Sequence, residues 1–133
     1  KSTIERVGLF DPMFFHYGED ENYCQRVRYH GLKVGVVPSA FIRHDRESRV
    51  RPDVSVKLDK EVLERKLKLY LGDINNTPDF NAKKRVWRNE IFKSMFKFNF
   101  RTFQINLLKY RTLVSVIPEI LESRERNKIL NEN

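Results

Sequence analysis

Residues 7–21 read Val7-Gly8-Leu9-Phe10-Asp11-Pro12-Met13-Phe14-Phe15-His16-Tyr17-Gly18-Glu19-Asp20-Glu21. Asp11-Pro12 initiates a turn, because the residue before a proline is pushed out of the helical region. The acidic run after Gly18 opens a helix: free N–H groups and the helix dipole stabilise negative charge in a first turn. That helix is expected to start between Gly18 and Asp20 and to run to His30, with Arg26 and Arg28 late in it and Gly31 as a left-handed stop. One carboxylate of the run could also take a proton from a substrate hydroxyl, since general-base work needs an ionised group held at an accessible edge. The tetrapeptide by itself does not separate the two readings, and they are compatible.

Downstream, residues 33–37 and 40–43 read as two short extended segments, with Val34, Val36, Phe41 and Ile42 as β-formers around Pro38-Ser39. A polar stretch over 43–53 reads as a loop. Residues 58–71 form a charged amphipathic helix, with Val62, Leu63, Leu67 and Leu71 near helical spacing. A turn over 72–79 contains Asn75-Asn76 and Pro78. Residues 83–111 read as helical, broken near Asn99, with Phe92, Phe96, Phe100, Phe103, Leu107, Tyr110 and Val114 recurring every three or four residues. Pro118 suits the first turn of a last helix, where its missing N–H costs nothing. There is no internal repeat. Two regions result: 1–50, and a basic, aromatic-rich helical region over 51–133.

The 133 residues, 40% hydrophobic and 33% charged, are one domain's worth with a modest core. No apolar run approaches the roughly 20 residues that span a bilayer. The opening Lys1-Ser2-Thr3-Ile4 has neither an initiator Met nor an apolar stretch, which suggests an excised segment. A single cysteine, Cys24, rules out an internal disulfide and fits a reducing compartment. The net charge of +8 favours an anionic partner without choosing among nucleic acid, membrane and phosphorylated substrates.

The order of residues from Val7 to His44 is more specific than any of these features. The turn Gly8-Leu9-Phe10-Asp11-Pro12 and the pair Phe14-Phe15 lead to Glu19-Asp20. Arg26, Gly31, Val36-Val37-Pro38-Ser39-Ala40 and His44 follow. This order and its spacings resemble the C-terminal part of the nucleotide-binding domain in inverting family 2 glycosyltransferases of the GT-A fold. The resemblance covers about a third of the chain. It implies an α/β fragment, mostly helical, with a short two-segment β element near 33–43. Residues 1–50 would then be the acceptor-side end of the catalytic domain.

The resemblance implies that Asp20 is the catalytic base, with Glu19 its motif partner and second candidate. Phe15, Tyr17 and Gly18 would line the acceptor site, where aromatic faces pack against sugar C–H faces. Phenylalanine is buried often enough that at least one of Phe14 and Phe15 is expected in the core. His44 matches a histidine that in some members helps bind a divalent metal or the diphosphate; a structural hydrogen bond is the other reading. Arg26 is expected to hold the helix to neighbouring acids. Asn22 departs from the pattern, which commonly has an acid there. The implied donor is a nucleotide sugar, and the implied acceptor a saccharide or lipid-linked glycan in bacterial cell-surface polysaccharide assembly. The implied cofactor is Mg or Mn, held mainly by an Asp-x-Asp motif. No Asp-x-Asp occurs in the sequence, so that motif and the donor half are expected upstream, and the fragment alone is expected to be inactive. The work would be cytoplasmic, at or near the inner face of the membrane.

Lys93, Lys97, Arg101 and Lys109 interleave with the phenylalanines of the C-terminal region. The stripe can pack on the catalytic domain with its lysines in water. It can instead make peripheral contact with anionic lipid. Nucleic-acid binding ranks last, because no recognised module is visible. A non-catalytic basic helical module that binds lipid or nucleic acid is the alternative to an enzyme.

Overall fold

The computed structural model describes residues 2–15, 17–43 and 59–129. Its elements are α1 (Ser2–Val7), α2 (Glu19–Tyr29), α3 (Lys60–Gly72), α4 (Phe80–Phe96) and α5 (Phe100–Lys128). Helix α5 is the spine, packing along both α3 and α4, while α2 touches α1, α3 and α5.

Side-chain caps set most of the helix starts. Asp59 accepts from the N–H groups of Glu61 and Val62, Asp79 from that of Ala82, and Asn99 from that of Thr102. Each satisfies a first-turn donor that has no partner within its helix. Asp79 therefore begins α4 at Phe80, earlier than the apolar periodicity suggested, and Asn99 explains the break in the aromatic stripe. At the other end of α2, Gly31 adopts φ 74° and ends the helix as expected.

The core brings Met13 and Phe14 of the first turn against Leu67 and Leu71 of α3 and Leu113, Val116, Ile117 and Ile120 of α5. Burying each such side chain contributes about 1.5–3 kcal/mol relative to leaving it in water. Lys68 of α3 pairs with Glu119 of α5 at 2.7 Å along the edge of this seam. Arg124 closes it at one end, donating to the carbonyls of Leu71 (3.0 Å), Asp73 (2.5 Å) and Asn76 (2.6 Å). A cation there also complements the C-terminal dipole of α3.

Two expectations are corrected. The described residues form an all-helical fold with no strand, so the α/β GT-A fragment with a β element near 33–43 is not what this chain builds. Val36, Val37, Phe41 and Ile42 are exposed, and Ala40 N–H bonds the Val37 carbonyl across Pro38-Ser39 in a turn. β-forming residues give a strand only when a neighbouring strand takes up their N–H and C=O groups, and none lies beside them among the described residues.

Pro118 does not start a new helix; α5 runs through it. Pro118 and Val114 both lie on the exposed side of α5, where a carbonyl that lacks its N–H partner can turn to water. Ile117, Ile120, Ser123 and Asn127 stay buried on the other side and hold the helix together beyond the proline.

Candidate functional site

The chain enters α2 through two successive left-handed residues, Tyr17 at φ 64° and Gly18 at φ 100°. Gly18 suits this conformation; Tyr17, with a Cβ, is held there at a cost of order 1–2 kcal/mol. The sharp turn sends Phe14 into the core and leaves Phe15 fully in solvent, at 7% and 101% exposure. Gly18 also lacks the Cβ that would lie 3.2 Å from Phe14 Cδ1 and 3.3 Å from Leu69 Cδ1, so it lets α2 approach α3 closely.

Asp20 stands exposed on the first turn of α2, and its Oδ1 accepts from the Glu21 N–H at 2.8 Å. Glu19 is half-buried, and its Oε2 is buried without a hydrogen-bond partner. Asn22 Oδ1 and Tyr23 Oη, three and four residues on along the same face, are likewise buried and unpaired. Asn22 thus occupies, uncharged, a position too enclosed for a solvated carboxylate.

Phe15 and Tyr17 line a cleft of about 290 Å³ between the first turn and α3. Its opposite wall is Glu61, Glu64, Arg65 and Lys68, which recur at helical spacing along the polar face of α3. The Arg65 guanidinium lies 5.3 Å from the centre of the Tyr17 ring, within cation–π range. Exposed aromatic rings at the edge of a cleft with charged groups opposite offer apolar faces and polar partners to a polyhydroxylated ligand. Glu19 and Asp20 do not line this cleft. Glu21 faces a second one, of about 520 Å³, with Gln25, Lys66 and Tyr70. Of the expected site residues, Phe15 and Tyr17 therefore share a cavity, Gly18 shapes the turn beside it, and the two acids lie one step along α2. The contribution of α3 was missed from the sequence, although its polar face shows there as a charged stripe.

His44 lies outside the described residues, as does His16 of the aromatic run. Among the described residues no three His, Cys, Asp or Glu side chains gather closely enough to hold a metal ion.

Arg26 does not reach acids by hydrogen bonds. It is buried beneath the turn and donates to the Leu9 carbonyl at 2.6 Å and to the Val7 carbonyl, which ties α2 to the end of α1. Burial lowers its pKa, while the charge of Asp11 opposes that shift.

Asp11, expected only as a turn initiator, is the most enclosed acid of this region. Its carboxylate accepts from Met13 N–H at 2.9 Å, Ser123 Oγ at 2.6 Å, Arg126 Nη2 at 2.8 Å and Asn127 Nδ2. Burial pushes its pKa up, but the hydrogen bonds from Ser123, Met13, Asn127 and Arg126 together outweigh that and hold it below the ordinary carboxylate value. A carboxylate with no exposed side-chain surface and a full set of donors cannot meet a substrate; its role is to anchor the turn. The sequence signal for it, Ser123, Arg126 and Asn127 at spacings of three and four, is visible only once Asp11 is known to face them.

No family model matches the chain, and no curated protein or solved structure does either.

Proposed function

We propose that this chain supplies the acceptor side of an inverting sugar-transfer reaction, with Asp20 as the general base. The observation that carries the reading is the exposed Asp20 carboxylate on the first turn of α2, set in the residue order from Val7 to His44 and directly after the strained turn that bares Phe15. The reading rests on that order and placement, not on an α/β architecture. Glu19, half-buried beside Asp20 on the same first turn, is the second candidate.

The chemistry follows from the position. An acceptor hydroxyl within reach of Asp20 gives up its proton to the carboxylate as its oxygen attacks the anomeric carbon of a nucleotide-sugar donor. The new C–O bond forms as the old one to the nucleoside diphosphate breaks, and the diphosphate leaves with the bonding electrons. Phe15 and Tyr17 would orient the acceptor, a saccharide or lipid-linked glycan, and Gly18 sets the angle between them and the base. The donor site belongs to groups other than those described. Nucleotide sugars place this work in the cytoplasm.

The test is sugar transfer by the intact gene product, assayed with a panel of nucleotide sugars. Asp20→Asn should lower kcat by about 10²–10⁴-fold with donor KM nearly unchanged, the range that general-base catalysis contributes. Phe15→Ala should raise the acceptor KM instead. Turnover of Asp20→Asn within a few-fold of wild type would remove Asp20 as the base, and absence of transfer with every donor would remove the reading itself.

A further inference from the structure

The hairpin joining α4 to α5 ends in three largely exposed rings. Phe96, Phe98 and Phe100 are 82%, 95% and 70% exposed, and Phe92 and Met95 are about half exposed behind them. The bare rings are not a by-product of a loose loop. Phe98 sits at φ 49°, the left-handed region where a bulky side chain is disfavoured, and its ring buries nothing in return. The hairpin beneath is firmly built: Ser94 is buried between the helices, and Asn106 Nδ2 donates to the Glu90 carbonyl at 3.3 Å.

We propose that this tip is a membrane wedge, with Phe96, Phe98 and Phe100 entering the acyl region of an anionic leaflet while Lys97 and Arg101 meet the lipid phosphates. The inference does not rest on the sugar-transfer reading and holds whether or not that one does.

Charge identifies the partner. Between Glu90 and Glu119 the sequence contains no Asp or Glu, while Lys93, Lys97, Arg101, Lys109 and Arg111 all fall within it. Lys93 is taken up by Glu90 at 2.7 Å, whereas Lys97 and Arg101, flanking the rings, have no acidic partner among the described residues. Cations beside apolar side chains are what an anionic interface rewards, because the rings leave water as the charges approach headgroups.

The backbone of the tip is suited to the same environment. The N–H groups of Lys97, Phe98 and Asn99 bond the carbonyls of Lys93, Met95 and Ser94 at 3.0–3.1 Å, and Asn99 Oδ1 takes the N–H of Thr102. The turn thus brings few unpaired donors to a medium without water. No helix among the described residues is long and apolar enough to cross a membrane, and the contact proposed for the tip is a peripheral one. Nucleic acid fits less well. Phenylalanine has no group with which to bond a base edge or phosphate, and of the three tip rings only Phe100 stacks on a neighbour, Phe103 at 6.4 Å.

The experiment is co-sedimentation of the whole chain with vesicles of phosphatidylcholine alone or mixed with phosphatidylglycerol. It is paired with fluorescence of a Trp87→Phe/Phe98→Trp variant, in which position 98 carries the single tryptophan, in vesicles whose lipids carry bromine on the acyl chains. The expected result is partition into the anionic vesicles, weakened by salt, with a blue shift and bromine quenching of the tryptophan at position 98. The double variant Phe96→Ser/Phe98→Ser should keep its circular dichroism and lose about tenfold or more in partition. Lys97→Glu/Arg101→Glu should lose the preference for anionic lipid. The proposal is overturned if the chain ignores anionic vesicles at low salt, or if partition survives loss of both phenylalanines. It is equally overturned if the tryptophan escapes quenching while a mixed-sequence oligonucleotide binds and competes the lipid away.

Discussion

Ser123 Oγ donates to the Asp11 carboxylate at 2.6 Å, joining the turn before α2 to the last turns of α5 across most of the chain. Asn127 and Arg126 complete the grip from the next turn of the same helix. The placement of α2, and with it Asp20, depends on this buried anion.

Asp11→Ala should therefore destabilise the fold by about 3 kcal/mol, because Ser123 and Asn127 are left as buried donors without an acceptor. Urea denaturation monitored by circular dichroism measures it. The pH dependence follows from the sign of the shift. Hydrogen bonding holds the Asp11 pKa lower in the folded protein than in the unfolded chain, so its stabilisation is complete above about pH 4 and is lost as pH falls through the folded value. The acid limb of the stability profile should be visibly flatter in Asp11→Asn than in wild type.

Arg124 makes three hydrogen bonds to carbonyls at the end of α3 from a nearly buried position. Arg124→Ala should cost about 2–4 kcal/mol, since these acceptors are then left unpaired. Arg124→Lys should recover less than half of the loss, because a single ammonium cannot match the fork of the guanidinium. Thermal melts of the three proteins at one concentration decide it.

Gly18 and Gly31 separate two effects of a missing side chain. At Gly31 an added Cβ meets nothing within 4 Å, so Gly31→Ala should cost only the conformational penalty of φ 74°, about 1 kcal/mol. At Gly18 the same change adds close contacts with Phe14 and Leu69, and should cost at least about 1 kcal/mol more. Equal losses in the two variants would mean that α2 and α3 can part without cost.

Phe98→Gly should stabilise the isolated protein by about 1 kcal/mol, because it removes the left-handed strain of a residue whose ring makes no buried contact. A raised melting temperature is the expected reading, and a lowered one would show that the exposed ring packs in solution.

Most of the helical structure was legible locally. Asp59, Asp79 and Asn99 act through their own next residues, and Gly31 through its own φ, so these starts and stops are set locally wherever the helices pack, although apolar periodicity alone put the start of α4 at Lys83 and not at Phe80. The same holds for the acidic opening of α2 and for the three- and four-residue recurrence of Leu63, Leu67 and Leu71. What depends on partners distant along the chain was not legible. The β-forming residues near 33–43 lack a strand to pair with among the described residues. Pro118 is carried inside α5 by the buried side chains beyond it, and one of two adjacent phenylalanines goes inward while the other goes out. Asp11 shows the division most sharply. Its sequence determines a turn, a matter of the residue's own dihedral angles and its neighbour's ring. Only the tertiary structure, by setting Ser123, Arg126 and Asn127 around it, decides that it is a buried anion and not a reactive one.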